Sequence, residues 1–209
     1  MDRILIAIPC MDSVAAEFMA SVGMLKKVGE CTLAMIKGSL IYNARNDLAK
    51  QAIKGGYDYI LWLDSDMQFQ PDTLERLLTD AKEHDLSIVS GVYYRRVPPF
   101  RPVIFKDINP DTGKWEDLLD VPEGLFKCAG VGFGCVLTDT QVFFDVKDAH
   151  TASWFTPKWG LGEDLAFCKR AIAAGHDVWV DPAVKCGHVG HIIVNEEYYK
   201  AYREAGCDS

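Results

Sequence analysis

Tyr59-Ile-Leu-Trp-Leu63-Asp64-Ser65-Asp66 is a run of five apolar residues that ends in two carboxylates spaced i and i+2. A short apolar run with aromatic and branched side chains reads as a buried strand, of the kind found at the centre of a parallel sheet. Side chains alternate along a strand, so extended geometry carried through Ser65 would point Asp64 and Asp66 the same way. Open α/β sheets bind ligands at the carboxyl ends of their strands, where this pair falls. Two hard oxygen ligands beside a phosphate site suit Mg²⁺ or Mn²⁺. The same acids also fit a polar strand end, or a cap on the following helix.

Working outward, residues 3–8 form a first apolar run stopped by Pro9, and residues 31–36 a second. Between them Val14, Phe18, Val22 and Leu25 fall on one helical face. Ile41, Ala44, Leu48 and Ala52 mark a second helix, closed by Gly55-Gly56. Downstream, Pro71 opens a helix with Leu74, Leu77, Leu78 and Ala81 at i, i+3, i+4 and i+7, and residues 86–94 read as another strand. Three β-α units in succession predict an α/β fold with a parallel sheet.

The second half is less regular. The basic, proline-rich stretch 95–102 reads as a mobile loop with no assignable role. Residues 103–105 and 124–127 read as short strands around a turn at 109–113. Residues 128–137 are apolar and glycine-studded, which permits close approach of a ligand or another backbone. Thr138 would cap a short helix through Phe144. A helix is predicted over 164–174, a last short strand over 178–180 and a tail helix over 195–203.

The 209 residues contain no linker, and their 49% hydrophobic content suffices for one core. A net charge of −8 without a basic run argues against nucleic-acid binding, and an anionic ligand would need local cations or a metal. Seven cysteines form no CxxC pair. Cys31, Cys135 and Cys168 sit in apolar contexts that suit buried thiols, as in a reducing compartment. Residues 4–8 are too short for a membrane span or a signal peptide, so the expected location is cytoplasmic.

Four motifs need one account: Asp64-Ser65-Asp66, Gly130-Val-Gly-Phe-Gly134, Trp159-Gly-Leu-Gly-Glu163-Asp164 and Cys186-Gly-His188-Val-Gly-His191. In this order they resemble the GT-A glycosyltransferases, in particular the family-2-like group. Asp64-Ser65-Asp66 is similar to the DxD motif, and Gly162-Glu163-Asp164 to the acidic motif that opens a helix. His188 stands where many members place a late metal-binding histidine. The resemblance implies the GT-A (nucleotide-diphospho-sugar transferase) fold, a mainly parallel central sheet flanked by helices. Residues 1–209 would be a single domain, with a nucleotide-binding half (1–95), an acceptor-side half (96–194) and a C-terminal tail (195–209).

The resemblance also implies an activity: metal-dependent transfer of a sugar from a nucleoside-diphosphate sugar to a hydroxyl of a glycan, lipid or protein. Negative charge develops on the departing β-phosphate, and Mn²⁺ or Mg²⁺ would stabilise it. Asp66 would bind the ion directly and His188 second, with Asp64 on the ribose or a metal-bound water. Pro9 and Ser65 would contact the nucleotide and Arg45, in Asn43-Ala-Arg45-Asn46, a phosphate. Trp159, Gly162 and Glu163 would lie on the acceptor side. Asp164 would take the acceptor proton in an inverting reaction, its charge favoured by the helix N-terminus. A retaining transferase of the same fold stays open.

Plainer readings stand beside these. Glu163 and Asp164 fit ordinary first-turn acids, Arg45 a solvated helix charge, Trp154 and Trp159 core aromatics, and His188 a structural histidine. His191 competes with His188 for the metal role. Zinc at Cys186, His188 and His191 would lack a fourth ligand and a standard spacing. A sugar nucleotidyltransferase should carry a glycine-rich basic loop after the first strand, where Pro9-Cys-Met-Asp-Ser13 stands. A non-catalytic sugar-binding relative would not need all these acids. No G-x-G-x-x-G follows the first strand, so a dinucleotide fold is unsupported.

Overall fold

The computed structural model describes residues 1–109, 111–146, 153–158, 160–190 and 193–206, so Trp159 and His191 lie outside the described residues. The first apolar run is β1 (Arg3–Cys10), followed by α1 (Ala16–Met24), β2 (Glu30–Lys37), α2 (Ile41–Gly55) and β3 (Tyr59–Leu63). The C-cap of α2, Gly56, sits at φ 65°, where glycine avoids the Cβ penalty of the left-handed region. A two-residue β4 (Met67–Gln68) leads to α3 (Thr73–Glu83), which starts two residues beyond Pro71, and to β5 (Ile88–Val92).

Next come β6 (Ile104–Asn109) and β7 (Lys114–Asp117), the strands that flank the 109–113 turn. The 124–127 stretch contributes instead to β8 (Phe126–Cys128), which joins the main sheet. β9 (Gly130–Val131) and β10 (Cys135–Asp139) follow. Thr138 belongs to β10 rather than capping a helix, and α4 (Val142–Asp145) starts beyond Gln141. The chain continues with α5 (Glu163–Ala173) and β11 (Val178–Lys185). β11 passes through Asp181-Pro182 with an irregularity and is not the last strand: β12 (Gly187–Val189), β13 (Ile193–Val194) and α6 (Glu196–Glu204) follow. The Asn195 side chain caps α6 by accepting from Tyr198 N–H.

The central sheet has the order β2-β1-β3-β10-β5-β11-β8. β2, β1, β3, β5 and β11 share one direction, while β10 and β8 oppose them, so the sheet is mainly parallel. β10 separates β3 from β5. Its Cys135, Val136 and Leu137 are all buried, as a strand covered on both faces requires.

One face packs on α1 and α3, with Ile4, Ile6, Phe18, Leu74 and Leu77 in its core. The other holds Leu48 of α2, Phe167 of α5 and an aromatic cluster around Trp62, in which Phe155 and Phe167 stack at 4.4 Å. Trp154 is part of that core, its indole N–H donating to Phe143 O at 2.9 Å. No described helix is long and apolar enough to cross a membrane.

Packing accounts for two loop segments. Residues 95–102 form a hairpin: Tyr94 bridges to Pro102, and Arg95 N–H donates to Arg101 O at 2.9 Å. Arg95 and Arg101 both pair with Asp117, and buried Phe100 meets the rings of Tyr198 and Tyr202 edge-on. These anchors offset the entropy of ordering the segment.

The glycines of 130–134 make room for side chains rather than for a ligand. A Cβ at Gly132 would lie 2.0 Å from Tyr93 Oη, and one at Gly134 2.9 Å from Tyr93 Cζ. Gly132→Ala is therefore expected to destabilise the fold by about 1–3 kcal/mol through overpacking. Adding Tyr93→Phe should recover part of the loss. Urea unfolding of the single and double variants checks this, and an unchanged midpoint for Gly132→Ala would refute it.

Candidate functional site

β3 stops at Leu63, and the next residues turn: Met67 N–H donates to Asp64 O at 3.1 Å. The strand alternation expected through Ser65 is thereby broken, and the two aspartates take different partners. Asp64 Oδ1 accepts from Arg45 Nη2 at 2.8 Å. Asp66 Oδ2 accepts from Arg96 Nη1 at 2.5 Å and faces His188 Nε2 at 3.4 Å. Backbone bonds fix the turn, with Ala15 N–H on Ser65 O at 3.0 Å and Val189 N–H on Asp66 O at 2.7 Å. Both aspartates still border one cavity of about 400 Å³, together with Pro9, Ser65, Arg96 and His188.

His188 arrives through strand pairing. β12 runs antiparallel to β4 with His188 opposite Met67, which carries a residue distant in sequence to the aspartate turn. Its Nδ1 lies 2.9 Å from Tyr94 O, and a carbonyl can only accept, so Nδ1 carries the proton. Nε2 is then the nitrogen presented to Asp66. Histidines that ligate metals commonly have their other nitrogen oriented by a carbonyl in this way. Burial lowers the His188 pKa, but Asp66 outweighs it and the net shift is upward. Burial raises that of Asp66, yet His188 and Arg96 bring it below the ordinary value.

Arg45 joins the two halves of the site. It projects from α2, is 2% exposed, and reaches Asp64 with Nη2 and Glu163 Oε1 with Nη1 at 2.6 Å. Its guanidinium lies over Phe133 and Phe155, at 5.6 and 5.9 Å from the ring centroids. Burial alone would lower its pKa, but Asp64, Glu163 and Asp164 raise it overall. Arg45 is thus not a solvated helix charge, and a phosphate contact would require breaking these pairs. Glu163, read from sequence as an acceptor-side residue, is its counter-ion. The neighbouring Asn46 accepts from Phe155 N–H at 2.9 Å.

Asp164 lies in the first turn of α5, behind Gly162 as N-cap. Its Oδ1 accepts from Leu165 N–H at 2.8 Å. A Cβ at Gly162 would come within 3.2 Å of that oxygen, so glycine keeps the space open. Burial, then the charge of Glu163, push the Asp164 carboxyl up to about 6, against the pull of Arg45. Asp64 is also raised, chiefly by burial. A carboxyl titrating near 6 is ionised at neutral pH and basic enough to accept a proton.

Among the described residues no group of three or more His, Cys, Asp or Glu gathers as a metal cluster. Asp66 and His188 form a two-residue donor pair, an oxygen and a borderline nitrogen that suit Mn²⁺ or Mg²⁺ only if a ligand's oxygens and water complete the shell. Sequence reading missed Arg96 in this set, because its stretch carried no motif. Arg45 left a signal: with Ala44, Leu48, Ala49 and Ala52 it falls on the apolar stripe of α2, and a cation there calls for a buried anion.

The family model described as Glycosyl transferase family 2 matches residues 35–126. A solved structure titled "Crystal Structure of A197 from STIV" superposes with a TM-score of 0.66 at 14% sequence identity, covering 91% of this chain and 86% of that one. No curated protein matches the chain. The matched segment includes Arg45, Asp64, Ser65, Asp66 and Arg96 and ends before Asp164 and His188. The fold is GT-A, and the family-2 segment suggests a glycosyltransferase that uses a nucleotide sugar.

Proposed function

We propose that this GT-A, family-2-like chain is an inverting glycosyltransferase that moves a sugar from a nucleoside-diphosphate donor to an acceptor hydroxyl, with Asp164 as the base. The observation that carries the reading is the Asp64–Arg45–Glu163 bridge. It ties the aspartate turn beside the cavity to the helix start that presents Asp164. Donor and acceptor groups can then be held in one fixed relation, which is where positioning lowers a barrier.

In this reading Pro9 and Ser65 border the nucleotide and Asp64 is held by its pair with Arg45. Asp66 and His188 would hold a divalent cation, which when bound neutralises charge on the departing diphosphate. Leu165 N–H fixes one oxygen of Asp164, and the other accepts the hydroxyl proton as the acceptor attacks the anomeric carbon. Attack opposite the leaving diphosphate inverts that carbon. Gly162, and Trp159 from the sequence motif, belong to the acceptor side. The loop after β1 has neither glycine nor base, which disfavours a sugar nucleotidyltransferase. The raised pKa of Asp164 favours catalysis over a purely sugar-binding role.

A thermal-shift screen of nucleotide sugars with and without Mn²⁺ tests the reading, because a ligand of the native state alone raises the midpoint. One donor should give a Mn²⁺-dependent shift. Asp66→Ala should weaken that binding at least about tenfold, as expected for loss of a metal-site group, without unfolding the chain. Full donor affinity in this variant, or in EDTA, would remove the metal from the mechanism.

A further inference from the structure

Arg96 has no part in the mechanism above, yet its guanidinium sits on the oxygen the cation would need. Arg96 Nη1 is 2.5 Å from Asp66 Oδ2, and His188 Nε2 faces that same oxygen at 3.4 Å. An ion held between Asp66 and His188 would place like charge against Arg96 and compete for its acceptor. The side chain is 51% exposed, so it can leave at small cost. Its backbone is better held: Arg95 and Arg101 pair with Asp117, and Phe100 is buried against α6. The arm can swing while its root stays at the cavity edge.

The charge balance of the cavity indicates where the arm goes. Asp12, Asp64 and Asp66 put three carboxylates on its wall. Arg96 is the one arginine or lysine among the described residues lining it. Asp64 is already paired with Arg45, so Asp12 and Asp66 are the acids a diphosphate meets there, and Arg96 is the cationic side chain on the wall that can turn toward it. Guanidinium, with its planar fork of donors, suits two phosphate oxygens better than it suits one shared carboxylate oxygen.

We propose that Arg96 is a resident counter-cation of Asp66, which yields that oxygen to the divalent ion and then binds the diphosphate of the donor. The proposal rests on the metal-dependent reading above and assigns a residue that the sequence motifs leave out. It makes two predictions of opposite sign for one variant. In Arg96→Ala, Mn²⁺ alone should bind about fivefold tighter, the equilibrium effect of losing one exposed competing ion pair. Inorganic pyrophosphate, titrated at saturating Mn²⁺, should bind the same variant about tenfold weaker for want of a charge-assisted pair. Arg96→Lys should fall between the two in both titrations.

Calorimetry on the full chain, with electron paramagnetic resonance counting free Mn²⁺, reads both constants without turnover. A merely structural role would weaken both. Unchanged or weaker Mn²⁺ binding in Arg96→Ala, while wild type binds Mn²⁺ in an Asp66-dependent way, would overturn the proposal and leave the metal reading standing. Unchanged pyrophosphate affinity would overturn its second half. No Mn²⁺ binding by either wild type or Arg96→Ala would remove the metal reading and this proposal together.

Discussion

Asp164→Asn is expected to bind donor normally and to lose sugar transfer by about two to four orders of magnitude, the usual worth of a general base. The amide keeps the shape and the contact to Leu165 N–H but cannot take the acceptor proton. The pH profile gives an independent handle. With the carboxyl titrating at about 6, wild-type transfer should fall about tenfold per pH unit below that value. Above it the rate should level off, and Asp164→Asn should lack the acid limb.

Stability should move the other way. The folded pKa lies above the ordinary 3.8, so the folded chain binds this proton more tightly than the unfolded chain. Ionising Asp164 therefore lowers stability as pH rises from about 4 to 6, and the deficit is complete above 6. The asparagine variant bears no such cost. It should be more stable than wild type at pH 7.5, by something of order 1 kcal/mol, with the gap closing as pH falls toward 4. Near wild-type turnover in Asp164→Asn would point to a retaining mechanism or a binding role for this helix. A product with the donor's own anomeric configuration would do so without any mutant.

β1, β3, α2 and α3 were readable from local pattern, because burial on one or both faces imposes a period that the residues themselves display. Pairing has no such local mark. Nothing in Cys135-Val-Leu-Thr-Asp139 says that it inserts antiparallel between β3 and β5, and nothing in Gly187-His188 says that it pairs with Met67-Gln68. Motif order suggested His188 beside Asp66, but only the β12–β4 pairing brings them together. Gly130 to Gly134 shows the opposite failure: the glycines were visible, while the reason for two of them, the ring of Tyr93, lies some forty residues away in sequence. Charge is read least well, since a side chain's partner is chosen in space. Arg45 is marked only by its place on an apolar helix stripe and Arg96 by nothing, yet one is buried between two acids and the other lies half-open on a cavity wall.

Arg45→Met is expected to destabilise the chain by about 3–5 kcal/mol at neutral pH, the cost of breaking a buried ion network from one side. Methionine fills similar volume against Phe133 and Phe155, so packing changes little. What changes is that Asp64 and Glu163 lose the one guanidinium they share, with Asp164 a third acid nearby. Lysine cannot substitute, because one ammonium cannot fork to two carboxylates as Nη1 and Nη2 do. The loss should depend on pH with a definite sign. Without Arg45, which pulls both down, Asp64 and Asp164 would hold their protons to higher pH, and protonating them removes unpaired charge. The deficit measured by urea unfolding should then be largest at pH 7.5 and shrink toward pH 5. Adding Glu163→Gln should restore part of it at pH 7.5 and less at pH 5. A deficit that is the same at both pH values would mean that Arg45 acts through packing alone. The bridge between the aspartate turn and the Asp164 helix would then be incidental, and with it would go the main support for one site spanning both halves of the chain.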